Sequence, residues 1–102
     1  MSRVFRPQFW IDLEEGVAYL ARRSSDATAR RWHSAVMETV QVLARQPGLG
    51  RPRHDLRPAG FRSFRVRRFP RYLIFYLPSE DTVEFLRVKH GMMNLPGLFP
   101  PP

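Results

Sequence analysis

The chain has 102 residues, of which 43% are hydrophobic, 13% aromatic and 25% charged, the size and mix of a single folded domain and not of a disordered segment. It has no cysteine, which excludes a disulfide framework, a thiolate metal site and a cysteine nucleophile, and which fits a reducing cytoplasm. The formal net charge is +8, and nearly all of it falls between Arg51 and Tyr72, where RPRHDLRPAGFRSFRVRRFPRY holds eight arginines and one acid.

Arg3 to Arg6 reads as a short first strand. Pro7 suits the first turn of a helix, where its missing N–H costs nothing. Phe9, Leu13, Val17 and Leu20 then recur every three or four residues along one helical face. Asp12, Glu14 and Glu15 towards its start and Arg22 and Arg23 at its end have the polarity that suits the helix macrodipole. Ser24-Ser25-Asp26 supplies N-cap candidates for a second helix. Its stripe is Ala29, Trp32, Val36, Val40 and Leu43, and Pro47-Gly48 and Gly50 end it. The short connection predicts an antiparallel helical hairpin with both stripes facing one surface.

Beyond Gly50 the period changes. Residues 51–60 read as a loop anchored by Leu56. Ser63, Arg65 and Arg67 alternate with Phe64 and Val66, as in a half-buried strand. Pro70 marks a turn or bulge. Tyr72 to Leu77 (YLIFYL) is apolar on both parities and reads as a central strand covered on both faces. Val83 to Lys89 forms a further strand, with Leu86 and Val88 expected on one face and Phe85, Arg87 and Lys89 on the other. The end, MMNLPGLFPPP, is not a regular helix, and its Leu95, Leu98 and Phe99 are too apolar for a solvated tail.

The expected fold is α+β, in the order β-α-α-β-β-β. The helical hairpin packs on one face of a small twisted antiparallel sheet, and the alternating arginines occupy the other. Residues 1–95 form one domain and 96–102 a Pro-rich C-terminal tail. No apolar run approaches membrane-spanning length and the N-terminus has no export signal, so a cytoplasmic protein without membrane contact is expected. No histidines or carboxylates show metal-ligand spacing, and neither a metal nor another cofactor is expected.

Three strings together resemble a known family. Gly60 to Val66 (GFRSFRV), Arg71 to Tyr76 (RYLIFY) and Asp81 to Gly91 (DTVEFLRVKHG) are similar to the C-terminal half of the ParE branch of the ParE/RelE toxin superfamily. The N-terminal half agrees, and the resemblance runs from about residue 4 to 95. It implies the toxin half of a bacterial type II toxin–antitoxin pair. It also implies a cognate acidic antitoxin, ParD-like with a ribbon-helix-helix start, that neutralises the toxin in a hetero-oligomeric complex. ParE-like members are associated with inhibition of DNA gyrase, RelE-like members with ribosome-dependent cleavage of messenger RNA. Two departures stand out. Arg68-Phe69-Pro70 lengthens the hairpin between RSFRV and RYLIFY, and the family's HG-x-RD ending appears here as His90-Gly91-Met92-Met93-Asn94.

The residues themselves favour binding over chemistry. A ribonuclease on this scaffold needs a base, a phosphate-stabilising cation and an acid, for which Arg65, Arg67, Tyr72 and His90 are the candidates. The strand around Leu73 and Ile74 carries no charge, however, and reads as core. The arginine cluster exceeds what solubility needs, and Arg62, Arg65, Arg67, Arg71, Arg87 and Lys89 are the expected partner-binding residues. The functional reading is a gyrase-inhibiting toxin, with a RelE-type messenger RNA endonuclease as the alternative. A degenerate toxin kept as an antitoxin-binding module is a third possibility, raised by the altered C-terminal motif.

Overall fold

The computed structural model describes residues 2–57 and 59–91. Strand β1 (Ser2–Phe5) leads directly into α1 (Pro7–Arg23), with Pro7 at the first helical position. After a turn at Ser24, Ser25 caps α2 (Asp26–Arg45) by accepting a bond from the Thr28 N–H at 3.0 Å. A single 3₁₀ turn (Pro47–Leu49) follows, then β2 (Arg51–Pro52), β3 (Arg62–Val66), β4 (Phe69–Pro78) and β5 (Thr82–His90). The five strands form one sheet in the order β1-β5-β4-β3-β2.

The expected element order and the helical hairpin are present, and the sheet is mixed. Strands β2 to β5 pair antiparallel, whereas β1 pairs parallel to β5, from Ser2 opposite Thr82 to Phe5 opposite Phe85. A parallel pair needs a long crossover, which α1, α2 and the intervening strands supply. Alternation of apolar side chains reports a strand's faces and not its neighbour's direction, so a uniformly antiparallel sheet was the expectation.

Phe9 and Leu13 of α1 and Trp32, Val36, Val40 and Leu43 of α2 are buried against Val66, Ile74, Tyr76, Val83, Phe85 and Val88 of the sheet. Val17 and Leu20, the rest of the α1 stripe, pack half-buried at the margin of this core. The two helices close tightly at Gly16, where a Cβ would run into the six-membered ring of Trp32. Tyr76 reaches across to fix the turn after α2: its hydroxyl donates to the Pro47 carbonyl at 2.6 Å and accepts from the Gly50 N–H at 2.8 Å.

The second sheet face is not an open field of arginines, as alternation suggested. The loop between β2 and β3 folds over part of it and brings Leu56 and Phe61 onto Phe75 and Leu86, with Leu73 and Leu77 at the margin. The expected pairing of Leu86 with Val88 on one face is also corrected. Opposite Phe75 stands Arg87, but opposite Tyr76 stands Phe85, so Leu86 is the extra residue of a bulge. A bulge inverts the side-chain alternation beyond it. Phe85 and Val88 therefore both enter the helix-side core, and Leu86 turns to the loop side.

Candidate partner-binding surface

Because β2 is only two residues long, it covers β3 at Arg62 and Ser63 alone. From Phe64 onward the outer edge of β3 has no strand partner among the described residues. Just past the end of β3, in the hairpin turn, the Arg67 N–H bonds the buried Thr39 hydroxyl of α2 at 3.1 Å. Around the edge lies a groove of about 560 Å³, lined by Leu49, Phe64 and Val66, by Leu73 from the other face, and by Arg51, Arg53, Arg65 and Arg67 at its rim.

Arg53 is the buried member of that rim. Its guanidinium grips Asp55 with two bonds (2.9 and 2.7 Å), donates to the Ser63 hydroxyl at 3.1 Å and lies 5.5 Å over the Phe75 ring. The bond from Arg53 holds the Asp55 carboxyl down at about 2, below its ordinary 3.8, and raises the Arg53 value in turn. Asp55 is thus committed to Arg53. Arg51, Arg65 and Arg67 are exposed, and no side-chain bond or ion pair engages them among the described residues. Three like charges around an apolar floor repel one another, a cost that an anionic partner would relieve.

The six expected partner-binding residues separate into three groups. Arg65 and Arg71 are exposed on a shared groove at the end of the sheet with His90, and Arg65 and Arg67 flank the β3 edge. Arg62 shares its face with Tyr76 and donates to the Gly50 carbonyl at 2.6 Å and to that of Gly48 at 3.3 Å, which braces the turn after α2. Arg87 and Lys89 turn towards α1. Arg87 binds Asp12 through Nε (2.7 Å) and Nη2 (3.0 Å), and the Lys89 ammonium lies 3.4 Å from Asp12 and 3.5 Å from Glu15. Asp12 is 2% exposed and also accepts from the Val88 N–H at 3.1 Å. It is a buried counter-ion and not a helix-start charge; the first turn of α1 holds no acid. Its apolar neighbours Ile11 and Leu13 gave no sign of this. Arg51 was missed because a two-residue strand leaves no periodic trace.

The residues considered for nuclease chemistry do not assemble into one constellation. Tyr72 lies on the helix side, its ring edge-on to Trp32 at 5.2 Å and to His90 at 5.3 Å. Burial raises its phenol above the ordinary value, away from the range of a base at neutral pH. Arg65 sits on the other face, opposite Leu73, and Arg67 at the hairpin tip. The altered C-terminal motif beyond Gly91, the apolar Leu95, Leu98 and Phe99, and the tail 96–102 lie outside the described residues.

The family model for the ParE toxin of the type II toxin–antitoxin system, parDE, matches residues 4–95. The chain belongs to the ParE toxin family. Among solved structures, this ParE-family chain is similar to a chain of the chromosomal ParDE toxin–antitoxin system from P. aeruginosa, with a TM-score of 0.75 and 20% identity over 88% of this chain and 95% of that one. It is also similar to the YoeB/ParE toxin from Agrobacterium tumefaciens, with a TM-score of 0.59 and 22% identity over 88% of this chain and 98% of that one. At such identities the likeness is one of fold. A search of curated protein sequences gave no match. The ParE family places the chain as the toxin of a toxin–antitoxin system and implies an antitoxin partner. No described helix is long and apolar enough to cross a membrane.

Proposed function

We propose that this ParE-family toxin acts in the cytoplasm by binding and inhibiting DNA gyrase, without chemistry of its own, and that a ParD-like acidic antitoxin silences it at the β3 groove. The observation that carries this reading is the β3 edge, unpaired beyond Ser63 among the described residues, with exposed Arg51, Arg65 and Arg67 beside the apolar Leu49, Phe64 and Leu73. An extended peptide with alternating acidic and apolar side chains fits both features. Its backbone would bond that edge, its apolar residues would cover Phe64 on the helix side, and its carboxylates, on the opposite face, would take the guanidinium forks beside Leu73.

The inhibitory half is tested with the purified chain in a gyrase supercoiling assay, run beside a ribosome-dependent messenger RNA cleavage assay. Inhibited supercoiling with intact message is the expected outcome. Cut message with unimpaired supercoiling would establish the endonuclease reading instead. Unimpaired growth on expression without antitoxin would make the chain a binding module that has lost its toxicity.

A further inference from the structure

A second basic groove lies on the other side of the hairpin tip. Ala27, Arg30, Arg31 and Ser34 stand at positions i, i+3, i+4 and i+7, so they form an outward stripe on α2. The β3–β4 hairpin folds back beside this stripe, where the Arg68 Nη2 binds the Glu38 carboxylate at 2.9 Å, one turn beyond Ser34. Arg30, Arg31 and Arg68 thereby converge on a groove of about 480 Å³, whose remaining lining is Ala27 and Ser34. Arg67 and Arg68 are adjacent at the tip, yet Arg67 lines the β3 groove and Arg68 lines this one.

The two grooves differ in what they can hold. The β3 groove has an apolar floor, which a peptide needs for anchorage. In the α2 groove Ala27 is the one apolar side chain and no carboxylate is part of the lining. A partner there gains almost nothing from apolar burial and must be held by charge. Guanidinium forks match phosphate oxygens in pairs, and a row of phosphates needs no hydrophobic contact. The lining also has no aromatic ring on which an unpaired base could stack, which disfavours single strands. We propose that the Arg30–Arg31–Arg68 groove binds the phosphate backbone of double-stranded DNA, at a site separate from the β3 groove and independent of which target the toxin inhibits.

The test is fluorescence anisotropy of the full-length chain with a labelled DNA duplex of about 20 base pairs over a series of salt concentrations. Arg30→Glu with Arg31→Glu should weaken binding about tenfold or more at low salt. The slope of log K against log salt should become shallower by about two, the number of phosphate contacts removed. Arg3→Glu with Arg45→Glu changes the net charge equally on exposed residues outside the groove and should cost less than about threefold. Arg68→Gly, which removes the third guanidinium without reversing charge, should fall between the two. Equal losses in both double variants would reduce the effect to net charge and overturn the proposal. So would no measurable binding by the unaltered chain, or tighter binding of the matching single strand or of poly-glutamate.

Discussion

At the scale of single residues, the decisive group is Asp12. An ionised carboxylate with no exposed side-chain surface persists only when its oxygens are occupied, and Arg87, Lys89 and the Val88 N–H occupy them. Removing one partner of such a pair strands the other charge. Asp12→Ala should therefore cost about 3–5 kcal/mol, whereas Asp12→Leu with Arg87→Leu should recover much of that loss. Thermal unfolding followed by circular dichroism compares the two, and a single variant as stable as the double would contradict the account. Gly16 is the second such residue. Alanine favours a helix interior by about 1 kcal/mol over glycine, but here its methyl would meet the Trp32 ring. Overpacking of this kind costs about 1–3 kcal/mol, so Gly16→Ala should lower the melting temperature despite its better propensity. An increase would mean that the helices separate without cost.

At the scale of elements, the β3–β4 hairpin departs most from a regular pattern. Arg65 pairs with Leu73 but Val66 pairs with Phe69, so Pro70, Arg71 and Tyr72 are absorbed as a bulge on the β4 side. Pro70, with no N–H to offer, sits where a regular ladder bond is already broken. The turn places Arg68 at a φ of 67°, a left-handed conformation that costs an arginine about 1–2 kcal/mol. Arg68→Gly relieves this strain and loses only the exposed bond to Glu38, so it should raise the melting temperature; a fall would show that the Glu38 bond outweighs the backbone strain. The β2–β3 loop is a second irregular element, tied down by Arg53 and Asp55. The folded Asp55 carboxyl titrates at about 2 against an ordinary 3.8, so its contribution to stability is present above 3.8 and is lost as the pH falls towards 2. Melting temperatures over that interval should drop more in the unaltered chain than in Asp55→Asn, and equal slopes would mean that Asp55 is not linked to folding. Helix α2 was legible from its stripe and its caps because both signals are local. The bulges at Leu86 and at Pro70, Arg71 and Tyr72 were not, because a register shift is a property of two strands and alternation describes only one.

At the scale of the whole molecule, charge is sorted by the fold. The Arg51–Tyr72 segment looked like one patch, yet Arg53 is buried on Asp55 and Arg62 braces a turn. Arg68 is exposed but leans on Glu38, while Arg51, Arg65, Arg67 and Arg71 are exposed with no ion pair among the described residues. If the β3 groove is the antitoxin site, Arg65→Glu with Arg67→Glu should weaken antitoxin binding by about tenfold or more, with a larger loss at low salt than at high salt, because exposed charges are screened. Titration calorimetry at two salt concentrations checks this, and unchanged affinity would move the antitoxin elsewhere. The sequence by itself determined the helical hairpin, the strand-forming segments and their family wording, because periodicity, caps and motif strings are written along the chain. Only the tertiary structure decided which cations are free. A guanidinium's availability depends on what stands opposite it, and Asp12, which claims Arg87 and Lys89, lies some 75 residues away along the chain. The same holds for the β3 edge, left unpaired among the described residues because β2 stops after two residues, and for the second groove, which α2 and the hairpin tip form only together.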